Sequence, residues 1–292
     1  MSDAGFDPAA PLTPSGNLRR RRAFSRVTEY GATAAALLAV GVLGIVILGV
    51  VVHGASAINL DFLLKGSPEG IGPELLGTAE IVAIATLIAA PVGILVAVYL
   101  TEFGTGRLAG WIKLTLDLMN GLPSIVIGLF VFILIVKPTQ EQSGFAASVA
   151  LAIIMLPIVA RGTIEILLLV PNSLREASDA LGVSRWRSVL GVILPSAIGG
   201  ILTSTVLAVA RAAGETAPLL LVSSNNTGAQ VSLNPFEALP NIPTTIFRLS
   251  EEPSPEGLTR AWGAGLVLLT FIMIMSIGAR VLFARTRSKM AQ

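Results

Sequence analysis

Residues Pro171–Pro195, PNSLREASDALGVSRWRSVLGVILP, decide how this chain is read. They form a charged island between two long apolar stretches, and the island reads as a short helix closed at both ends. Ser173 has the side chain of a good N-cap, and Glu176 three residues on is placed to reach back to its amide, the pattern of a capping box. Gly182 stands where a left-handed residue just past a helix end belongs. The enclosed helix, Leu174–Leu181, is only ~12 Å long at 1.5 Å per residue. That is too short to span a bilayer, so the helix is expected to lie at one surface. A short capped helix held between two membrane spans suits docking into a partner's groove. From the residues alone, an ordinary amphipathic loop helix fits equally well.

The composition supplies the membrane. Mean hydropathy is +0.79, with 53% hydrophobic and 13% charged residues, whereas soluble domains carry about 25% charged residues. The absence of cysteine excludes disulfides. Apolar runs lie at about Tyr30–Val52, Leu76–Leu100, Gly121–Val136, Phe145–Leu169, Leu194–Val222 and Trp262–Phe283. Each approaches the ~20 residues needed to cross a bilayer, so the expected fold is an all-α polytopic membrane protein with six transmembrane helices. The first run is longer than the ~7–15 residues of a secretory h-region and is read as a retained span, although Ala55-Ser56-Ala57 imitates a cleavage site. The expected division is a flexible tail over 1–26, a transmembrane domain over 27–287 and a short tail over 288–292. The domain contains the charged loop at 171–195 and an opposite loop at 223–261.

Lys and Arg set the orientation. With the N-terminus inside, 15 of the 20 cations fall on inner segments: Arg19–Arg22, Arg26, Arg107, Lys113, Arg161, Arg175, Arg185, Arg187, Arg280, Arg285, Arg287 and Lys289. Only Lys65, Lys137, Arg248 and Arg260 fall outside, and Arg211 lies within a span. Both termini and the Pro171–Pro195 helix are therefore expected on the cytoplasmic side.

Arg211 and Glu215, four residues apart, share a helix face and can pair. A charge inside a span costs at least ~2.5 kcal/mol on insertion scales and usually faces a bundle interior or a water-filled path. Gly214 and Pro218 lie beside them, and Pro218 cannot donate to the carbonyl of Gly214, which kinks or ends the helix. The pair serves either as a structural tie or as a stop on a substrate path. Arg161 and Glu165 repeat the spacing just after Pro157, where an arginine can also snorkel to the surface. Two such arginines offer an anion successive stops, and the planar guanidinium suits a tetrahedral oxyanion. The chemistry stops at "oxyanion".

Several motifs carry a family resemblance. Glu176-Ala177-Ser178, Gly182, Val192 and Leu194-Pro195 resemble the EAA loop of ABC-importer permeases, E-A-A, three residues, G, nine residues, I, one residue, L-P. Ser178 replaces the second Ala and Val192 the Ile. The resemblance implies a type I ABC importer (MetI-like) fold, with this loop as the helix that couples to an ATPase through Leu174, Glu176, Ala177, Ser178, Ala180 and Gly182. Leu122–Phe130 (LPSIVIGLF), Arg211–Leu220 (RAAGETAPLL) and Asn241–Phe247 (NIPTTIF) are similar to the permeases of the high-affinity phosphate importer. The G-E-T-A-P version resembles the PstA type rather than the PstC type. Implied partners are a PstC-like permease, a PstB-like ATPase dimer and a PstS-like phosphate-binding protein. The implied substrate path includes Arg211, Glu215 and Arg161, with a helix break at Gly214 and Pro218. A sulfate or molybdate permease, or an ion-coupled secondary transporter, are the alternatives.

The chain contains no G-x-x-x-x-G-K-[ST] phosphate loop, so ATP is expected to be used by a separate subunit and no cofactor is assigned here. One histidine and no cysteine leave no basis for Cys/His metal sites or triad catalysis, and no nucleic-acid motif appears; the medium is lipid. The loop 223–260 is expected to carry a short helix near Phe236 or Thr244–Leu249. His53 reads as structural, and Trp111, Trp186 and Trp262 as interfacial anchors.

Overall fold

In the computed structural model, which describes residues 18–224 and 231–290, the chain is a series of helices with no strand among the described residues. They run α1 (Leu18–Gly54), α2 (Leu60–Leu64), α3 (Gly72–Val98), α4 (Gly106–Gly121), α5 (Ser124–Val131), α6 (Lys137–Thr139), α7 (Gly144–Leu168), α8 (Asn172–Ala180), α9 (Arg185–Ser188), α10 (Leu194–Ala213), α11 (Ala217–Val222), α12 (Ile242–Glu251) and α13 (Pro255–Met290). Three π-helical turns extend or join them. Tyr99–Phe103 continues α3, Phe132–Val136 joins α5 to α6, and Val189–Ile193 joins α9 to α10.

The chain divides into two compact units, Met1–Val51 and Val52–Gln292. The described part of the first is helix alone. Its apolar side chains, among them Leu37, Leu43 and Ile45, are exposed along its length, as suits a helix whose surroundings are lipid. Helix α1 already begins at Leu18, so the described end of the expected tail is helical.

Among the described residues, five helical stretches are long and apolar enough to cross a membrane: Arg20–Ala57, Gly72–Phe103, Gly144–Leu168, Arg185–Ala213 and Pro255–Gly278. The sixth expected span is not a straight rod. It is the pair Gly106–Gly121 and Ser124–Thr139, bent by 104°. The cause is local: Leu122 and Pro123 are both extended (ψ 133°), because a proline ring disfavours helical geometry in the residue before it. The segment of Arg107 and Lys113, counted among the inner segments, is helix α4.

Within the second unit, α3 packs along α7 and α7 along α10. The shared core is built largely from small side chains, with Ala85 and Ala89 of α3 buried in one cluster with Ala146, Ala147 and Ala150 of α7 and Ala208 and Ala212 of α10. In lipid no hydrophobic gain distinguishes helix from solvent, so close backbone approach through small residues supplies the packing. A second cluster at the other end of α3 joins Ala97 and Val98 to Leu167, Val170, Val189 and Ile193.

Asn241 secures the segment leading into α12. It is fully buried, accepts from the Thr244 backbone at 3.1 Å as N-cap, and donates to the Ser223 carbonyl at 3.1 Å. The Ile242 amide donates to the Thr78 hydroxyl on α3 at 2.9 Å. The helix expected at Thr244–Leu249 is thus α12, and Phe236 lies in a turn. His53 stacks on Trp262 with ring centroids 5.2 Å apart.

Candidate functional site

Helix α10 stops at Ala213 and α11 begins only at Ala217, with Pro218 in its first turn. The break falls where Gly214 and Pro218 locate it. Arg211 occupies the last turn of α10, and Glu215 lies in the irregular link. Their side chains approach to 3.8 Å, Nε to Oε1, with Arg211 65% and Glu215 17% exposed. The arginine therefore reaches outward while its partner is held in the wall.

Both residues line a cavity of about 200 Å³ with Asn120, Pro123, Ser124 and Ile154. Two interruptions of helix meet here: the bend at Leu122-Pro123 and the break at Gly214–Thr216. The bend aims the start of α5 into the cavity, and no side chain caps that end. A helix start carries partial positive charge on its free amides and favours anions. The cavity thus offers an anion a guanidinium, a helix N-terminus, an amide at Asn120 and a hydroxyl at Ser124.

Arg161 does not pair with Glu165. It forms an ion pair with Asp117 on α4, and both side chains are about half exposed. The expected same-helix pair is corrected to one between helices. A second cavity of about 210 Å³ is lined by Arg161, Asp117, Glu165 and Lys113. The two arginines are thus not equivalent: Arg161 sits among three other charged groups, whereas Arg211 faces Glu215 alone.

The helix expected at Leu174–Leu181 is α8. Pro171 is its N-cap and no side chain bonds the cap, so Ser173 does not form a capping box with Glu176. Helical geometry starts at Asn172, where the fixed φ of the preceding proline ends the extended segment. The other end is as expected: Gly182 has φ +67°, with Val183 N–H donating to Ser178 O and Gly182 N–H to Asp179 O, each at 3.0 Å. This pair of bonds is a Schellman motif. Glu176, Ala177, Ala180, Leu181 and Gly182 are exposed and Leu174 is partly so, whereas Ser178 is 6% exposed and donates to Leu174 O. Ser178 therefore faces the chain's own body.

Arg175, beside these residues, makes the most extensive side-chain contacts of the loop. Its guanidinium donates to Glu102 Oε1 at 2.8 and 3.2 Å, to Val170 O at 2.7 Å, to Leu167 O at 3.0 Å and to Asn172 Oδ1 at 3.2 Å. Glu102, in the π turn after α3, is 1% exposed. Sequence reasoning missed Glu102, Asp117, Asn120 and Ser124. A usable signal existed for the two acids, since each stands within or at the edge of an apolar run, the criterion that singled out Arg211.

A membrane bundle with an interrupted helix beside a polar cavity that holds Arg211 and Glu215, and a short surface helix between spans, defines a permease-like membrane component. Residues 89–288 match the family of binding-protein-dependent transport system inner membrane components, and the chain belongs to that family. It is 39% identical to the phosphate transport system permease protein PstA of Yersinia pestis, over 75% of this chain and 74% of that one. It is 37% identical to the PstA of Xylella fastidiosa Temecula1, over 92% and 96%. Among solved structures, it is similar to a bacterial alginate ABC transporter (TM-score 0.63, 13% identity, 92% of this chain and 98% of that one). It is also similar to the MetNI methionine ABC transporter in an inward-facing conformation (0.58, 18%, 73% and 96%). These two support the fold alone.

Proposed function

We propose that this chain is the membrane permease subunit of an ATP-driven importer of inorganic phosphate. The observation that carries the reading is the cavity in which two helix interruptions converge on Arg211, in a chain whose relatives of 36–39% identity are phosphate permeases. A phosphate oxyanion released from an outer binding protein would meet the Arg211 fork and the α5 N-terminus, both of them donors. Arg161 would receive it next, nearer the cytoplasm. Glu215, 3.8 Å from Arg211, keeps the local charge near neutral, so the anion binds without being trapped.

In this reading the translocation path is completed by a PstC-like permease, and a PstS-like protein delivers the substrate. A PstB-like ATPase dimer drives the cycle through the exposed residues of α8. The distribution of Lys and Arg supports a cytoplasmic position for α8 and both termini, where ATP is available.

The test is uptake of labelled phosphate into vesicles bearing the four-component complex, with sulfate and molybdate as competitors. ATP-dependent uptake competed only by unlabelled phosphate supports the reading. Uptake without ATP would reject the ABC mechanism, and competition by sulfate or molybdate would reject phosphate selectivity.

A further inference from the structure

We infer that Glu102 is the receiving point through which movement of α8 enters the membrane bundle, with Arg175 as the rigid connector. This rests on reading α8 as the surface that meets the ATPase. Among the ion pairs of the described residues, those of Glu102 alone involve a carboxylate with a side chain only 1% exposed. Surface pairs such as Lys65–Asp61, at 50% and 69% exposure, hold little in place. A desolvated fork-to-carboxylate pair is directional and costly to break.

The geometry joins three pieces of backbone. Arg175 belongs to α8, its carbonyl partners Leu167 and Val170 belong to the end of α7 and the turn after it, and Glu102 belongs to the π turn closing α3. The other side of the loop closes on the same turn. Arg185 Nη2 lies 4.0 Å from Glu102 Oε2 and its guanidinium 6.0 Å from the Phe103 ring centre, and Trp186 packs on Phe103 at 5.8 Å. Beneath them lies the apolar cluster of Ala97, Val98, Leu167, Val170, Val189 and Ile193. A push on α8 therefore cannot be absorbed locally. It passes to α3 and α7 together, and α7 carries Arg161. Arg175 and Glu102 are positioning residues, since neither needs to touch substrate or nucleotide.

The experiment compares the parent complex with Glu102→Gln, Arg175→Met and Arg175→Lys, measuring phosphate moved per ATP hydrolysed. The expected result is continued ATP hydrolysis with transport per ATP lowered about tenfold in the first two, within the usual range of coupling factors. Arg175→Lys, which keeps the charge without the fork, should fall between. An unchanged ratio in Glu102→Gln and Arg175→Met overturns the inference.

A second measurement needs neither transport nor a variant of the link. The chain has no cysteine, so spin labels can be placed uniquely at Leu181 and Leu87, which are 81% and 74% exposed. Their separation should be the same in the nucleotide-free and vanadate-trapped complexes if α8 and α3 move as one body, and a changed separation overturns the link. A parent complex that hydrolyses ATP without moving phosphate would instead reject the proposed function, and the label distance would still decide the link.

Discussion

Gly128 lies so close to Pro218 that a Cβ on it would stand 2.6 Å from the proline Cα. The contact locks α5 to α11, the two half-helices that begin at the two interruptions. It therefore sets the width of the cavity that holds Arg211. Gly128→Ala should destabilise the assembled complex by about 1–3 kcal/mol, the usual cost of overpacking. A thermal melt of the purified complex measures this, and an unchanged midpoint would show that the contact relaxes freely.

Arg211→Gln removes the cavity's fixed cation and leaves Glu215 facing the anion. Transport should fall by at least about tenfold, since a charge-assisted contact contributes about 1.5–3 kcal/mol. Arg211→Gln/Glu215→Gln, which removes both charges, should recover part of the loss if Glu215 repels the substrate. Uptake rates with complex yield measured alongside decide it, and loss of the complex itself would make the pair structural.

The Arg161–Asp117 pair predicts an asymmetry between two acids near one arginine. Asp117→Asn removes the carboxylate that competes for Arg161 and should lower the phosphate concentration for half-maximal uptake, opposite in direction to Arg161→Gln, whereas Glu165→Gln should have a smaller effect. The opposite order in a concentration series would restore the same-helix pairing.

Gly182 alone closes α8 in the left-handed region. Any Cβ there costs about 1–2 kcal/mol, so Gly182→Asp should loosen the end of the helix and lower transport per ATP, with Gly182→Asn milder. Parallel ATPase and uptake assays separate this from loss of assembly, and normal coupling in Gly182→Asp would reject a role for the cap.

Glu237 offers a pH test away from the membrane. The Ser232 hydroxyl and the Asn234 amide donate to its carboxylate and hold it below the usual glutamate value of 4.5. A lowered carboxyl contributes order above the unfolded value and loses it as pH falls through the folded one. Amide exchange across residues 231–238 should therefore be steady near neutral pH and accelerate, after correction for intrinsic rates, only below about pH 4.5. Glu237→Gln should remove that transition.

What was legible in the sequence depended on range. Apolar runs, the Gly214–Pro218 break and the left-handed Gly182 are properties of a few neighbouring residues, and the structure has them. Arg175 and Glu102 are separated by 73 positions, and no local pattern pairs them. Arg161 had a suitable acid four residues away on its own helix, and local spacing favoured Glu165 although α4 brings Asp117 nearer in space. Ser173 has the right side chain for a cap, yet Pro171, two residues earlier, starts the helix, because backbone restriction acts before side-chain capping can choose. The 104° bend could have been suspected from Leu122-Pro123, but its size depends on packing around Gly128.

The π turn at Tyr99–Phe103 has a bearing on how chains of this kind are aligned and engineered. Such a turn accommodates one residue more than the α-helical turn it replaces, and each residue of an α-helix advances the azimuth by about 100°. Deleting one residue there would let the turn close as an ordinary α-helical one, with what lies on either side of it left at nearly the same azimuth. Glu102 would leave its buried seat, and the segment would still look intact by helical content. A one-position gap in this stretch of a homologous sequence is thus absorbed by the turn, and grafts across it should be matched on the residues that flank the turn rather than on residue count.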